Sequence, residues 1–497
     1  MQYTFKCLIV VGIGLIVSGC SIAPKYERAS VTAPPAFKEA QTKTQDSTTS
    51  SEWKVAQPSE VLPRGQWWRV FGDEQLDKLE TQALAANQDL AAAAARVKEA
   101  RSINDAARSN LFPSIGAGFG PTRERVSASS IFEPDGSAVP QQTFWRAQAS
   151  ASYEVDLFGR VSSTIAESHA KLQQSEALFR SVELALQADV AQNYFALREL
   201  DTEAAIYAST IDLREQALIF VQHRFAEGDI SDLDVSRAVT ELATARSDAM
   251  TAARLRAASE HSLAVLLGKA PAELVMTPAP LQPVELDIPP GLPSSLLERR
   301  PDITAAERAM AAANARVGIA KAAFFPSLSL TGTGGFESAT IADLFQWSSR
   351  AFLLGPLVGT ALNIPIFDGG RRKGDLAKAR AVYEEDVARY RQQVLVAFRE
   401  VEDNLADLRI LKDQTAVQAD GMRAALRAAQ VVKLQYAEGA VDYLSVIDAE
   451  RSALTSRRSE AQLRGLQAAA TVNLIRALGG GWDANAAAPI GATHSKT

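Results

Sequence analysis

Long stretches of this chain place apolar residues at helical spacing and contain no helix breaker. Residues 161–227 hold neither Gly nor Pro, and at about 1.5 Å per residue they predict a single rod of about 100 Å. Two series of apolar positions seven residues apart run through it, which is typical of the a and d positions of a coiled coil. The two series are Leu172, Phe179, Leu186, Leu200 and Tyr207, with Asn193 as the one polar member, and Val190, Leu197, Ala204, Ile211, Leu218 and Phe225.

Shorter uninterrupted stretches flank this rod. Residues 229–267 also lack Gly and Pro, so we expect a second helix that returns antiparallel to the first from a corner at Gly228. Another helical stretch comes earlier, over residues 73–111. The second part of the chain shows the same order: a helix over 375–438 interrupted only by Gly421, a corner at Gly439, and a return helix with Ile447, Leu454, Ala461, Ala468 and Ile475 at sevens.

One segment in each half shows the two-residue period of strands, clearly over 144–157 and more weakly over 328–336, and a second segment in each half completes a pair of predicted strands. From 144 to 157, apolar side chains at odd positions alternate with mostly polar ones at even positions. On its own this alternation fits a soluble hairpin as well as a membrane strand. The four predicted strands are residues 114–120, 144–157, 328–336 and 352–366, and the polar residues 121–142 and 337–350 are predicted to be the loops between paired strands.

The second half of the chain repeats the design of the first. Phe225-Ala226-Glu227-Gly228 returns 211 residues later as Tyr436-Ala437-Glu438-Gly439. This period is far longer than the units of solenoid proteins, which measure about 20 to 50 residues. The sequence therefore predicts a duplicated half-molecule with two corners of the same kind.

The start of the chain carries a bacterial export signal. Lys6 precedes an apolar run, and small residues lead to Cys20, which resembles a lipobox cleaved before that cysteine. In this interpretation Cys20 carries a diacylglycerol on its sulfur and an acyl chain on its amine, and Ser21 favours the outer membrane. Because Cys7 leaves with the signal, the mature chain keeps no thiol for a disulfide, a metal or catalysis. A plain signal peptide with an incidental cysteine is the alternative.

No apolar run after Cys20 reaches the length of about 18 residues that a membrane helix requires. If the mature chain crosses a membrane, we therefore expect it to cross as strands of a closed barrel. Four strands cannot close a barrel, because the smallest barrels have about eight. The barrel must then be shared between copies of the chain. Two copies would supply eight strands and three would supply twelve, and strand spacing alone leaves both open.

Several motifs, in order along the chain, resemble those of the outer-membrane factor family. They are Trp67-Trp68 with Phe71-Gly72-Asp73, Gly291-Leu292-Pro293-Ser294, Arg300-Pro301-Asp302-Ile303, Phe325-Pro326-Ser327 and the corner from Tyr436 to Ala449. The similarity covers nearly all of the mature chain and is greatest to the lipoprotein branch that serves resistance-nodulation-division efflux pumps. It implies a mainly α fold with a β-barrel part: a homotrimer that shares a twelve-stranded outer-membrane barrel and a long coiled-coil tunnel. It also implies docking to a periplasmic adaptor that bridges to an inner-membrane pump.

The resemblance assigns the gate to the corners, which we expect at the periplasmic tip. Leu444 and Asp448 match the constricting positions, where a trimer would hold rings of three leucines and three carboxylates. Asp234 and Tyr436 match positions that join a latch with an arginine in some relatives. The arginine position is Val441 here, so we expect closure to rest more on apolar contacts. The predicted adaptor-contact residues are Gly228, Asp229, Ile230, Ser231, Gly439, Ala440, Val441 and Asp442.

Composition and motifs favour a passive channel over an enzyme. The formal net charge of -6 and the lack of a basic stripe do not indicate a nucleic-acid partner. His169, His223, His261 and His494 show no metal-ligand spacing, and the sequence contains neither a nucleophile elbow nor a P-loop. We therefore expect no enzyme, no metal and no cofactor beyond the covalent lipid on Cys20.

Two other functions remain open on the sequence. The same duct would serve a type I protein secretion system, with only the partner and the cargo changed. A surface coiled coil without a pore is the second alternative, and the polar series in 144–156 argues against it.

The expected organisation follows these segments. It comprises a signal peptide over 1–19, a lipidated tether and equatorial segment over 20–66, a first repeat over 67–269, a Pro-rich linker over 270–300, a second repeat over 301–479 and a flexible tail over 480–497.

Replacing the predicted lipid-bearing residue should remove the lipid. In a Cys20→Ala chain we expect a mature N-terminus without acyl groups, because the sulfur that accepts the diacylglycerol is missing. Mass spectrometry of the mature N-terminal peptide measures this directly. An unmodified wild-type chain that starts at Ser21 would refute the lipobox interpretation.

Overall fold

The computed structural model of the chain describes residues 22–40, 66–125, 127, 134, 138–284, 299–355 and 362–480. Cys20 and most of the predicted C-terminal tail lie outside the described residues. The main elements, in chain order, are α1 (Glu74–Ala86), α2 (Gln88–Ser109), β1 (Ser114–Glu124), β2 (Gln142–Val155), α3 (Arg160–Ala226), α4 (Asp232–Leu266), α5 (Pro301–Ala322), β3 (Ser327–Ser338), β4 (Arg350–Gly355), β5 (Leu362–Asn363), α6 (Arg371–Ala437) and α7 (Tyr443–Ala477).

The four long helices repeat in length and in position. α3 and α6 each span 67 residues, and α4 and α7 each span 35. The starts of α3 and α6, at residues 160 and 371, differ by 211, and so do the ends of α4 and α7, at 266 and 477. In the described part of the chain, no helix combines the length and the apolarity needed to cross a membrane. The predicted long helices and return helices are confirmed.

Each long helix ends in the same backbone motif. After α3, the amide of Gly228 donates to the carbonyl oxygen of Phe225 at 3.0 Å, and the amide of Asp229 donates to that of Arg224 at 2.9 Å. This pair of hydrogen bonds is the Schellman motif, which satisfies carbonyl groups that have no partner inside the helix. It requires a left-handed residue, and glycine adopts that conformation without the steric cost of a Cβ. The glycines that end the four helices are Gly228, Gly268, Gly439 and Gly479, with φ of 83°, 68°, 75° and 90°.

One predicted helix is divided in two. The stretch over 73–111 predicts a continuous helix, but the structure separates α1 from α2 at Asn87, whose backbone is extended. Its side-chain oxygen accepts a hydrogen bond from the amide of Leu90 at 2.9 Å. Its side-chain nitrogen donates to the carbonyl oxygen of Leu266, at the end of α4, at 3.0 Å. The prediction of continuity was wrong because asparagine can cap a helix start as well as continue one.

The strands form one antiparallel sheet in the order β1-β2-β3-β4, and β5 also pairs with β3. The predicted strands over 114–120, 144–157 and 328–336 are confirmed. The predicted strand over 352–366 corresponds to β4 and β5, which share β3 as their partner. The sheet therefore contains the four predicted strand positions.

The register gives the sheet one polar and one apolar face. On the polar face, the guanidinium of Arg146 pairs with Glu124 of β1 at 3.0 Å and with Glu337 of β3 at 2.7 Å. On the other face, the rings of Phe119 and Trp145 stack with centroids 6.0 Å apart. Side chains of a strand alternate between the two faces of its sheet. The two-residue period in the sequence therefore reflects the alternation of polar and apolar side chains between these two faces.

The chain divides into two compact units. Of the described residues, those within 1–29, 96–175 and 305–390 form the first unit, which contains the sheet. Those within 30–95, 176–304 and 391–497 form the second unit, which contains both corners.

The second unit has a core anchored by the two tryptophans of the motif Trp67-Trp68. Both rings are buried, with at most 2% of each residue exposed. The indole nitrogen of Trp67 donates to the side-chain oxygen of Gln187 at 2.8 Å, and that of Trp68 donates to Asp77 at 2.8 Å. Each tryptophan thus buries its ring while its one donor is satisfied.

The described part of the N-terminal tether is held by polar contacts. In the first unit, the Tyr26 hydroxyl donates to Glu307 at 2.6 Å, and the side chain of Asn314 donates to the carbonyl oxygen of Pro24 at 2.9 Å. In the second unit, the amide of Glu39 donates to the carboxylate of Glu402 at 2.9 Å. The tether has little core of its own, but these contacts give it a defined position in each unit.

The glycine that ends α4 should not tolerate a side chain. In Gly268→Ala, the new Cβ would lie 2.3 Å from the carbonyl oxygen of Ala86, at a φ of +68°. We expect a loss of about 2–4 kcal/mol of folding free energy from the clash and the left-handed strain. The thermal unfolding midpoint, followed by circular dichroism in detergent, measures this.

Gly421→Ala is the matched control for that change. Gly421 lies inside α6 with open space around the position of its Cβ, so alanine should stabilise the helix by about 1 kcal/mol. Equal midpoints for the two variants would contradict the close approach of Gly268 to α1.

Candidate functional site

The two corners of the chain pack on one apolar cluster, which we call the tip cluster. Both corners lie in the second unit, so the duplicated turns meet although 211 residues separate them. Apolar side chains from all four long helices contribute to it. Its buried members are Val221, Ala238, Tyr436, Tyr443, Val446 and Ile447, and the partly buried ones are Leu218, Ile230, Val235, Val432 and Val441.

The two corners differ in how the returning helix begins. Asp442 precedes α7, and its carboxylate accepts a hydrogen bond from the amide of Ser445 at 3.0 Å. Hydrogen bonds from the hydroxyl and the amide of Ser445 hold the pKa of Asp442 below its ordinary value. The equivalent residue before α4 is Ser231, whose side chain does not cap the helix. The helix that follows the second corner therefore has a charged side-chain cap, and the helix that follows the first corner has none.

Tyr436 is a buried member of the tip cluster with two aromatic neighbours and one cationic neighbour. Its ring contacts those of Phe220 and Tyr443, with centroids 6.2 and 5.4 Å away, and the guanidinium of Arg224 lies 5.3 Å from its centroid. Among the described residues, its buried hydroxyl makes no hydrogen bond of ordinary geometry, and Arg224 is the cation that interacts with it. Burial raises the pKa of this hydroxyl above its ordinary value. Tyr436 thus contributes mainly its apolar ring and a cation–π contact.

In the structure, each of the two predicted latch residues contacts an arginine of its own. Asp234 pairs with Arg237, one turn along α4, at 3.2 Å, while Tyr436 contacts Arg224. Val441 packs against the tip cluster of its own chain, and closure through apolar contacts stays a prediction. The sequence analysis missed Arg224 and Arg237. In the sequence, the two residues stand out only as arginines close to the first corner, Arg224 near the end of α3 and Arg237 near the start of α4.

Leu444 and Asp448 lie one turn apart on α7, on the same exposed face. Leu444 is 39% exposed, while its neighbours Tyr443 and Ile447 are buried in the tip cluster. The two predicted gate residues therefore point away from the cluster of their own chain. An exposed leucine beside a carboxylate can form a ring with its copies in an oligomer.

A buried carboxylate ties α7 to the other helices next to this face. Glu241 of α4 is 6% exposed and accepts from Arg451 of α7 at 3.0 Å. Its second oxygen pairs with Arg214 of α3 at 3.0 Å. Asp448 also interacts electrostatically with Arg451. The sequence analysis missed this ion cluster, whose three members come from three different helices.

The predicted adaptor-contact residues are mostly exposed at the corners. Ile230 and Val441 are partly buried against the tip cluster. The exposed members are Gly228, Asp229, Ser231, Gly439, Ala440 and Asp442. Within the described residues, no group of His, Cys, Asp or Glu side chains could hold a metal ion. The site is thus a surface of two turns over an apolar cluster.

Each half of the chain supplies one long helical hairpin and part of an antiparallel sheet with one polar and one apolar face. This combination is typical of outer-membrane channels with a helical extension. Comparison with known proteins agrees. The family model described as outer membrane efflux protein matches residues 79–269 and residues 292–480. The chain belongs to the outer membrane efflux protein family, and it is located in the outer membrane. The two matches correspond to the two halves of the duplication.

Relatives and solved structures resemble the chain over nearly its whole length. The toluene efflux pump outer membrane protein TtgF of Pseudomonas putida is 33% identical over 486 residues, which is 97% of this chain and 98% of that protein. The cation efflux system protein CusC of Escherichia coli is 31% identical over 474 residues, 95% of this chain and 97% of that protein. The solved structure of the outer-membrane channel OprN has a TM-score of 0.83 and 28% identity, and covers 93% of this chain and 100% of its own.

Removing the charged cap should loosen one corner only. In Asp442→Ala, we expect amide hydrogen exchange at residues 443–445 to speed up several-fold, because the cap of α7 is lost. Exchange followed by mass spectrometry measures this. Ser231→Ala is the matched control and should leave the start of α4 unchanged, because that hydroxyl does not cap it.

The effect of this cap should depend on pH. The pKa of folded Asp442 is lowered, so the stabilisation is complete above the ordinary carboxyl pKa of about 3.9. It is lost as the pH falls through the lowered value. Protection of residues 443–445 that stays constant down to strongly acidic pH, after correction for intrinsic exchange, would contradict the role of Asp442.

Proposed function

We propose that the protein is the passive, trimeric exit duct of a tripartite efflux system, gated at its two corners. The observation that carries this proposal is the pair of exposed residues Leu444 and Asp448 on α7, beside a tip cluster to which both corners contribute. Three copies would bring three leucines and three carboxylates together. Such rings give an apolar constriction next to a neck that attracts cations.

The open sheet supports sharing of a barrel between copies. Among the described residues, β1 pairs only with β2, so its other edge has unsatisfied backbone groups along 11 residues. An exposed edge of this length is a template for pairing with another chain. In a membrane every backbone group must be paired, which requires closure of the sheet. Three copies, each with four strand positions, would close a barrel of twelve.

The lipid on Cys20 belongs to the same proposal. Ala23 packs so closely on α5 that a Cβ on Gly318 would lie 2.9 Å from its Cβ. Three residues span at most about 11 Å, so an acylated Cys20 would be tethered close to α5. That helix leads directly into β3, which is part of the sheet. The anchor would thus sit near the strands that we place in the membrane.

The partners we propose are a periplasmic adaptor and an inner-membrane resistance-nodulation-division pump. The adaptor would contact the exposed residues of the two corners. The name of TtgF specifies toluene and that of CusC specifies cations, so full-length relatives of this chain are named for chemically different cargo. We therefore place selectivity in the pump, and we propose drugs or small toxic compounds as the cargo.

Removing the gate side chains should open the duct. In planar bilayers we expect wild-type protein to show small, mostly closed and cation-preferring conductance. The double variant Leu444→Ala with Asp448→Asn should conduct several-fold more, because both the apolar constriction and the charged ring are lost. Unchanged conductance in the double variant would mean that the gate lies elsewhere.

Leu233→Ala is the matched control for this experiment. Leu233 is the counterpart of Leu444 in the first repeat and is also exposed, but Arg237 stands where the second repeat has Asp448. We expect this variant to conduct like wild type. Asp448→Asn alone should reduce cation preference, measured as the reversal potential in a salt gradient, more than it raises conductance.

A further inference from the structure

The loop between β3 and β4, residues 339–349, is held by its own hydrogen bonds. The carboxylate of Asp343 accepts from the hydroxyl of Thr340 at 2.6 Å and from the side chain of Gln346 at 2.6 Å. The backbone oxygen of the same residue accepts from the hydroxyl of Ser349 at 2.7 Å. Leu344 is fully buried. The loop is therefore preorganised by polar contacts around Asp343 and by one apolar anchor.

This ordered loop presents three large apolar side chains outward. Ile341 is 55% exposed, Phe345 is 69% exposed and Trp347 is 76% exposed. Exposed apolar patches on soluble surfaces usually mark contacts with a partner or a membrane. The hydrogen bonds of the loop hold these three side chains outside its core. Leaving large apolar side chains in contact with water is unfavourable compared with burying them.

The apolar face of the sheet continues into the loop. The ring of Phe336 on β3 contacts that of Phe345 with centroids 5.5 Å apart. Phe352 of β4 lies on the same face of the sheet and is 79% exposed. Arg350 stands opposite Phe336 in the register, and its guanidinium lies over the ring of Trp347. The patch thus ends in an exposed cation beside an aromatic ring.

We propose that this loop is a membrane-interface anchor that rests in the headgroup layer of the outer leaflet, with Arg350 facing lipid phosphate. Aromatic residues concentrate at the borders of membrane barrels, where one side of the ring is apolar and the other is wet. Arg is suited to phosphate because its planar guanidinium donates several hydrogen bonds. The continuity of the patch with the apolar face of the sheet favours lipid over a second copy as the occupant.

The placement of the loop rests on the proposed function. Within the first unit, α2 leads into β1 and α5 leads into β3, so the helices enter the sheet at one end and the loop lies at the other. If the helices lie in the periplasm, the loop lies at the outer surface. Anionic headgroups would then meet Arg350, while Ile341, Phe345 and Trp347 reach the acyl boundary.

The test uses the full-length chain with Trp347→Cys, labelled with an environment-sensitive fluorophore and reconstituted in vesicles. We expect the label to be quenched by lipids that carry a nitroxide at the headgroup and to be protected several-fold from aqueous iodide. Ala138→Cys, at an exposed position between β1 and β2, is the matched control and should be accessible to iodide. Wild-type chain treated with the same fluorophore serves as the blank.

A second arm tests the cation. The headgroup quenching at residue 347 should be stronger in vesicles that contain phosphatidylglycerol than in pure phosphatidylcholine. Adding Arg350→Gln should remove this difference. An effect of free inorganic phosphate equal to that of the lipid would overturn the assignment of lipid as the ligand.

The remaining outcomes also decide the proposal. A label at position 347 as open to iodide as the label at position 138 would overturn it. Protection from iodide without lipid quenching, together with disulfide cross-linking between unlabelled copies through the thiol introduced at position 347, would assign the patch to a second chain instead. Conductance of the same labelled protein in planar bilayers separates this failure from failure of the proposed channel. Normal conductance with an iodide-accessible label would refute the anchor alone.

Discussion

The structure depends on how its long helices end. A helix leaves its last carbonyl groups without partners, and the Schellman motif satisfies them only if the next residue accepts a left-handed backbone. Glycine stands at all four such ends, in pairs that are 211 residues apart. Both helical hairpins therefore stop at equivalent residues. Corners that end in register can pack on one cluster, and that cluster is the candidate site.

Equal lengths do not make the two repeats equivalent. The backbone motif is the same at both corners, but the side chains that follow it differ in charge. Asp442 caps the second hairpin where Ser231 leaves the first without a side-chain cap, and Asp448 replaces the cation Arg237. The duplication thus provides the scaffold twice, whereas a carboxylate at the position of Asp448 occurs only in the second copy.

Helices, corners and strands could be predicted from local pattern because each depends on neighbours in sequence. The absence of breakers, the heptad spacing and the two-residue alternation all act over a few residues. The break at Asn87 could not be predicted, because the side chain of Asn87 donates a hydrogen bond to the carbonyl oxygen of Leu266, which lies in a helix far along the chain. Similarly, no local pattern shows that Arg214 and Arg451 share Glu241.

The sequence by itself determined the duplicated design, the lengths of the four long helices, the strand positions and the family, because these follow from short-range periodicity and from motifs. The resemblance also supplied the positions of Leu444 and Asp448. Only the tertiary structure decided which groups meet: Arg224 on Tyr436, Arg237 on Asp234, and Val441 within the tip cluster. Such pairings depend on how helices far apart in the chain pack, and the energy of an ion pair or a ring contact exists only once that packing is made.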